Sequence, residues 1–209
     1  RIAMEKIKGI RAMSENPHLN LYELKAVNKK GGEFPYYLAS RGKREDELKL
    51  RTRINRPDGV VIFGVKRGNT PAQDRVVLVR QYRYTIDDYI YELPAGLVEE
   101  GEDYHLAAVR EMKEETGLTL HPLTVEERYE RPFFTTIGMT DESCAAVYGY
   151  VEGTICDSFQ EDSEEIEVVL ADRKEAARIL QEENAAIMCA YHLMHFLHDE
   201  DVFDFLRQV

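Results

Sequence analysis

The stretch Gly96-Leu97-Val98-Glu99-Glu100-Gly101-Glu102-Asp103, running through residues 104–109 into Arg110-Glu111-Met112-Lys113-Glu114-Glu115-Thr116-Gly117-Leu118, decides how this chain is read. Residues 103–115 have a helical pattern. Leu106, Val109 and Met112 recur every third position and are expected to face the core. Gly117 stands where a left-handed C-terminal cap belongs. On such a helix Glu111 and Glu115 are four apart and share a face, with Glu114 flanking it. Like charges at this spacing cost roughly a few tenths of a kcal/mol per pair. Acids in the last turn also oppose the helix dipole. Breaking two local rules in one turn is expected at a functional site. A hard divalent cation with oxygen ligands would offset both costs. The plain alternative is a solvated charged face with Arg110 and Lys113 as ion-pair partners.

Outward from this helix the chain alternates strands and helices. Upstream, the apolar run 59–65 predicts a buried strand, 75–81 the next strand and 89–93 another, stopped by Pro94. Downstream, strands are predicted around 124–129, 143–151 and 166–170. Asp172 with Glu175 forms a capping box that opens a helix to about Glu182, and 185–198 predicts a final amphipathic helix. Its His192, His195 and His198 are spaced by threes and are read as a helix edge rather than a ligand set. This order implies an α/β (α+β) layered fold, not a bundle. Residues 1–55 predict a separate β-rich extension, with a hairpin of 19–27 and 34–40 around Asn28-Lys29-Lys30-Gly31-Gly32. Residues 41–56 are densely charged and are expected to form a linker or an edge.

The 209 residues carry 44% hydrophobic and 32% charged side chains, enough for a packed core. A net charge of -12 argues against a nucleic-acid partner, which needs a basic footprint. It also makes phosphate handling dependent on a bound cation. No apolar run approaches bilayer length and the mixed-charge start is unlike a signal peptide, so no membrane partner and a cytoplasmic location are expected. Cys144, Cys156 and Cys189 show no zinc spacing and are expected to be free thiols.

Residues 96–118 fill every fixed position of the Nudix box, G-x5-E-x7-R-E-U-x-E-E-x-G-U, with Gly96, Glu102, Arg110, Glu111, Met112, Glu114, Glu115, Gly117 and Leu118. The chain therefore resembles Nudix hydrolases, directly over the box and more loosely over about 57–200. The resemblance implies an αβα sandwich around a mixed sheet, formed by residues 56–209, and magnesium-dependent cleavage of a nucleoside-diphosphate-linked compound. Magnesium, with manganese as the alternative, is then expected on Glu111, Glu114, Glu115 and the Ala95 carbonyl. Arg110 looks like the residue that pins the glutamates, and Glu102 like the brace of the loop.

The flanking Gln81-Tyr82-Arg83-Tyr84 and Tyr91-Glu92-Leu93-Pro94-Ala95-Gly96 resemble the ADP-ribose and ADP-sugar pyrophosphatase branch. In that branch Arg83 would contact the diphosphate or ribose, and Glu92 the adenine end unless it pairs with Arg110. The segment 132–142 partly resembles the branch's substrate loop, with Gly138 and Glu142 aligning. Glu111 and Glu115 are expected to be catalytic as well, and a further catalytic glutamate is expected on the later loop at Glu161 or Glu164. The branch also implies a homodimer through the N-terminal extension, with Tyr36, Tyr37 and Arg41 as candidates for reaching the partner's pocket. Two other readings stay open: a different substrate such as GDP-mannose or NADH, and a non-catalytic nucleotide-sensing module.

Overall fold

The computed structural model describes residues 5–160 and 165–207. In chain order the strands are β1 (Ile7–Ala12), β2 (Asn20–Val27), β3 (Glu33–Ser40), β4 (Gly59–Lys66), β5 (Arg75–Arg83), β6 (Asp88–Glu92), β7 (Ala95–Leu97), β8 (Thr119–Pro122), β9 (Phe133–Phe134), β10 (Ser143–Glu152) and β11 (Ile166–Ala171). The helices are α1 (Lys49–Thr52), α2 (Tyr104–Thr116), α3 (Glu127–Glu130), α4 (Arg173–Glu182) and α5 (Ile187–His198). The described residues fall into two compact units. One runs up to Asp58 and takes in Pro132–Cys144; the other holds Gly59–Arg131 and the described part of Ala145–Val209.

The first unit is an antiparallel meander, β1-β2-β3. The expected hairpin joins β2 to β3. Asn28 closes its turn, its side-chain oxygen accepting from the amides of Lys30 and Gly32. Tyr22, Leu24, Leu38 and Leu48 form a small core, with Leu48 drawn from the charged stretch expected to be a linker. Strand β1 has no counterpart in the sequence reading. The segment 132–144 packs into this unit: the Ala39 amide donates to Met139 O at 2.8 Å and the Tyr36 hydroxyl to Gly138 O at 2.9 Å. Arg41 pairs with Glu142 at 2.9 Å, and Lys49 reaches Asp58 and the Ser143 hydroxyl, each at 2.6 Å.

The second unit is built on a sheet in the order β11-β5-β4-β10-β8, with β6 beside β5 and β7 beside β4. Successive strand residues point to opposite faces, and the core follows that alternation. Val60, Ile62 and Val77 pack with Ala107, Ala108 and Met112 of α2. Phe63, Val65, Val76 and Leu78 pack with Ala176 and Ile179 of α4 and with Cys189, Leu193 and Phe196 of α5. One helix layer therefore covers each face of the sheet, which is the expected αβα sandwich.

Helix α2 is where expected, and Met112 and Val109 face the core as expected, but Leu106 does not. Leu106 is 66% exposed, while Ala107 and Ala108 are fully buried with Met112. Small alanines let the helix approach the sheet closely. Gly64 makes the same accommodation from below, since a Cβ there would lie 2.8 Å from Met112 Cε and 3.1 Å from Val151 Cγ1. Residues 124–129, expected as a strand, hold helical turn α3 instead, and β8 supplies the strand that pairs with β10. Local charge decides this, since Glu126-Glu127-Arg128 offers no alternating apolar face.

His192 is no helix edge. It is 3% exposed, its Nδ1 lies 2.7 Å from Met188 O, and burial lowers its pKa. All three cysteines are free, and burial pushes the Cys189 thiol up to about 12. No helix among the described residues is long and apolar enough to cross a membrane.

Gly64→Val should push α2 off the sheet and destabilise the protein by about 1–3 kcal/mol. Urea unfolding measures the effect, and Gly64→Ala should cost less because the flexible Met112 terminus can yield.

Candidate active site

The site is assembled where α2 crosses β7. Asp103 caps α2 with its side chain, accepting from the amides of His105 and Leu106. Gly117 ends it in a left-handed conformation with φ 75°. Between these caps the helix presents Arg110, Glu111, Glu114 and Glu115 around its last turns. Glu115 lies on the buried side at 4% exposure, and its Oε2 accepts from the Ala95 amide of β7 at 3.2 Å. Glu111 lies against Gly96: a Cβ at that position would fall 1.9 Å from the Glu111 carboxyl carbon. The fixed glycine of the box is thus a space requirement, as no side chain fits between strand and carboxylate.

Arg110 sits at the centre. Its Nε and Nη2 donate to the two Glu102 oxygens at 3.1 and 3.0 Å, a bidentate fork. Its Nη1 donates to Glu111 at 2.8 Å and to Glu114 at 3.0 Å, and Nη2 also reaches the Leu97 carbonyl at 3.0 Å. The bond to Glu102 is the largest cause of a guanidinium pKa raised above its already high value. The same bond, helped by the Glu99 amide, holds the Glu102 carboxyl below its ordinary range. The pinning role expected of Arg110 and the bracing role expected of Glu102 both have their geometry here.

The donor set suits a hard cation in kind: three carboxylates and backbone oxygens beside them. Among the described residues, though, no group of three acidic, histidine or cysteine side chains is gathered into a closed ligand set. Arg110 draws Glu111 and Glu114 towards itself while Glu115 engages β7. A cation would bind by competing with those contacts.

Arg83 and Glu92 are brought together on the same face of the β5–β6 pair, with Arg83 Nε donating to Glu92 at 2.6 Å. Glu92 therefore pairs with Arg83 and not with Arg110. Gly138 and Glu142 belong to the first unit, where they engage Tyr36 and Arg41. Glu161 and Glu164 lie outside the described residues. Sequence reasoning missed two supports of α2. Gly64 had a signal, an isolated glycine in an apolar strand. Gln160, whose side-chain amide donates to the Glu115 carbonyl at 2.7 Å, had none.

The NUDIX domain family matches residues 55–191. Nudix hydrolase 2 of Caenorhabditis elegans is 34% identical over 131 residues, 63% of this chain and 54% of that protein. The ADP-ribose pyrophosphatase of Bacillus subtilis is 33% identical over 89 residues, 43% of each chain. The ADP-sugar pyrophosphatase of Mus musculus is 40% identical over 73 residues, 34% of this chain and 33% of that protein. The chain thus spans about half or less of the length of these relatives. The crystal structure of an ADP compounds hydrolase superposes with a TM-score of 0.58 at 15% identity, covering 87% of this chain and 86% of that one, a likeness of fold. With the family match extending over more than half of its residues, the chain belongs to the NUDIX family.

Proposed function

We propose that this protein hydrolyses the diphosphate bond of ADP-ribose or another ADP-sugar, giving AMP and a sugar phosphate, with Mg2+ as the cation and Mn2+ as its substitute. The observation that carries the reading is a complete Nudix box in which three carboxylates meet at one guanidinium, with the buried Glu115 carboxylate on the β7 amide. The named relatives support an ADP-linked substrate.

A divalent cation held by Glu111, Glu114, Glu115 and the Ala95 carbonyl would neutralise the diphosphate and acidify a water. The chain's own residues do the rest. Arg110 holds Glu111 and Glu114 aligned. Arg83 offers a planar fork to phosphate oxygens, pre-oriented by Glu92. Glu161 or Glu164 takes the proton from the attacking water, in line with the leaving phosphoryl group. Gly138 and Glu142 border the substrate in this reading. A homodimer forms through the first unit, where Leu21, Phe34, Tyr36 and Tyr37 are exposed. The free thiols suit a reducing cytoplasm.

A product-resolved hydrolysis screen tests this. ADP-ribose with Mg2+ should release AMP and ribose 5-phosphate, and nothing without the cation. Preferential GMP release from GDP-mannose would move the substrate, and tight ADP-ribose binding without turnover would make the protein a sensor. Glu115→Gln should lower turnover by about a hundredfold or more, as loss of even an outer ligand partner costs up to that amount. Arg83→Ala should raise KM more than it lowers kcat, read from initial rates.

Acid should loosen the box first. The Glu102 carboxyl has a lowered pKa in the folded protein, so its contribution is complete above the unfolded value, about 4.3, and is lost as pH falls through the folded one. Glu102→Gln should therefore be less stable than the parent at pH 7 and should lose less stability on acidification, as followed by urea unfolding between neutral and acid pH.

A further inference from the structure

The C-terminal end of α2 faces an electrostatic difficulty that the box alone does not resolve. The last four carbonyls of a helix have no intrahelical partner and carry the negative end of its dipole. Here three glutamates share those turns. Donors from outside and inside the helix meet the carbonyls in turn. The Lys113 carbonyl accepts from the Gly117 amide at 2.9 Å, and the Gly117 carbonyl from Lys113 Nζ at 2.7 Å. The carbonyls of Thr116 and Glu115 are met by one short stretch of chain, residues 156–160. The Cys156 amide donates to Thr116 at 3.0 Å and the Gln160 side-chain amide to Glu115 at 2.7 Å. The Lys113 ammonium also sits 5.4 Å over the Phe159 ring.

We infer that Gln160 is a positioning residue for the cation site: by fixing the peptide carbonyl of Glu115 it holds that residue's carboxylate where a divalent cation binds. The inference rests on the reading of Glu115 as a ligand. Glu115 is held from two directions, its carboxylate by the Ala95 amide and its main chain by Gln160. Helix ends fray, and a ligand in the last turn inherits that motion unless the turn is tied down. Gln160 is a side-chain donor on this stretch that reaches a box residue's backbone. It supplies no charge of its own, so it steadies the carboxylate without competing with the cation.

The test compares the parent with Gln160→Met, which keeps the length of the side chain and removes the donor, and with Gln160→Ala. Mn2+ binding to the full chain without substrate is measured by calorimetry, ADP-ribose KM and kcat at saturating Mn2+ by initial rates, and Tm as a check on folding. Both variants should weaken Mn2+ binding by about tenfold, the worth of one net hydrogen bond. KM for ADP-ribose at saturating Mn2+ should stay within about twofold of the parent, and added Mn2+ should restore most of kcat. An unchanged Mn2+ affinity beside a lowered Tm would overturn the inference and leave Gln160 a structural tie. A parent protein that binds Mn2+ yet leaves ADP-ribose intact would overturn the proposed substrate alone, and the Mn2+ comparison would still decide Gln160. A parent that binds no Mn2+ overturns both.

Discussion

One guanidinium lets the acids of α2 stand side by side. Glu111, Glu114 and Glu115 occupy a single helical turn at the end where the dipole is already negative, and Glu102 adds a fourth carboxylate from the loop. Arg110 engages three of the four and ties the group to the β7 carbonyl of Leu97. Lysine could not do this. A single ammonium lacks the planar fork that satisfies both Glu102 oxygens while leaving a second nitrogen for the helix acids. The box therefore carries its own counter-ion, and this keeps four acids folded together before any cation arrives.

That arrangement constrains everything beneath it. The acids must lie close to β7, so α2 must lie close to the sheet, and the sequence makes room at every level. Ala107 and Ala108 replace larger residues on the helix underside. Gly64 leaves space for Met112, and Gly96 leaves space for the Glu111 carboxylate. The opposite face of the sheet carries no such demand, and there large side chains, Phe63, Leu193, Phe196 and Phe203, fill the core. The two faces thus differ in the size of the side chains that fill them.

How much of this could be read from the sequence follows from how local each feature is. The box helix, its Gly117 cap, the β2–β3 hairpin and the Asp172 cap depend on neighbours within a few residues, and all appear where the residue pattern places them. The face of α2 was misread because Leu106 fits a three-residue spacing as well as Met112 does. Only the sheet below shows that alanines, not a leucine, are needed. The strand β7 is three residues long and exists because β4 pairs with it, a partner too distant in sequence to be inferred. The segment 132–142 is read on resemblance as a loop that borders the substrate. Its packing within the first unit depends on Ala39, Tyr36 and Arg41, about a hundred residues away.

The pairing of Arg83 with Glu92 follows the same logic as Arg110 with Glu102. Each cation is held by a carboxylate on its own side of the structure before a ligand enters, so neither has to be ordered at the moment of binding. In the proposed reading the cost is that an incoming phosphate would compete with Glu92 for Arg83, and an incoming cation with Arg110 for Glu111 and Glu114. A dication on the helix acids would lower both costs for a diphosphate, because its charge offsets the carboxylates that surround it. In a chain with a net charge of -12, the cation of that reading is what would let acidic side chains face a negatively charged substrate.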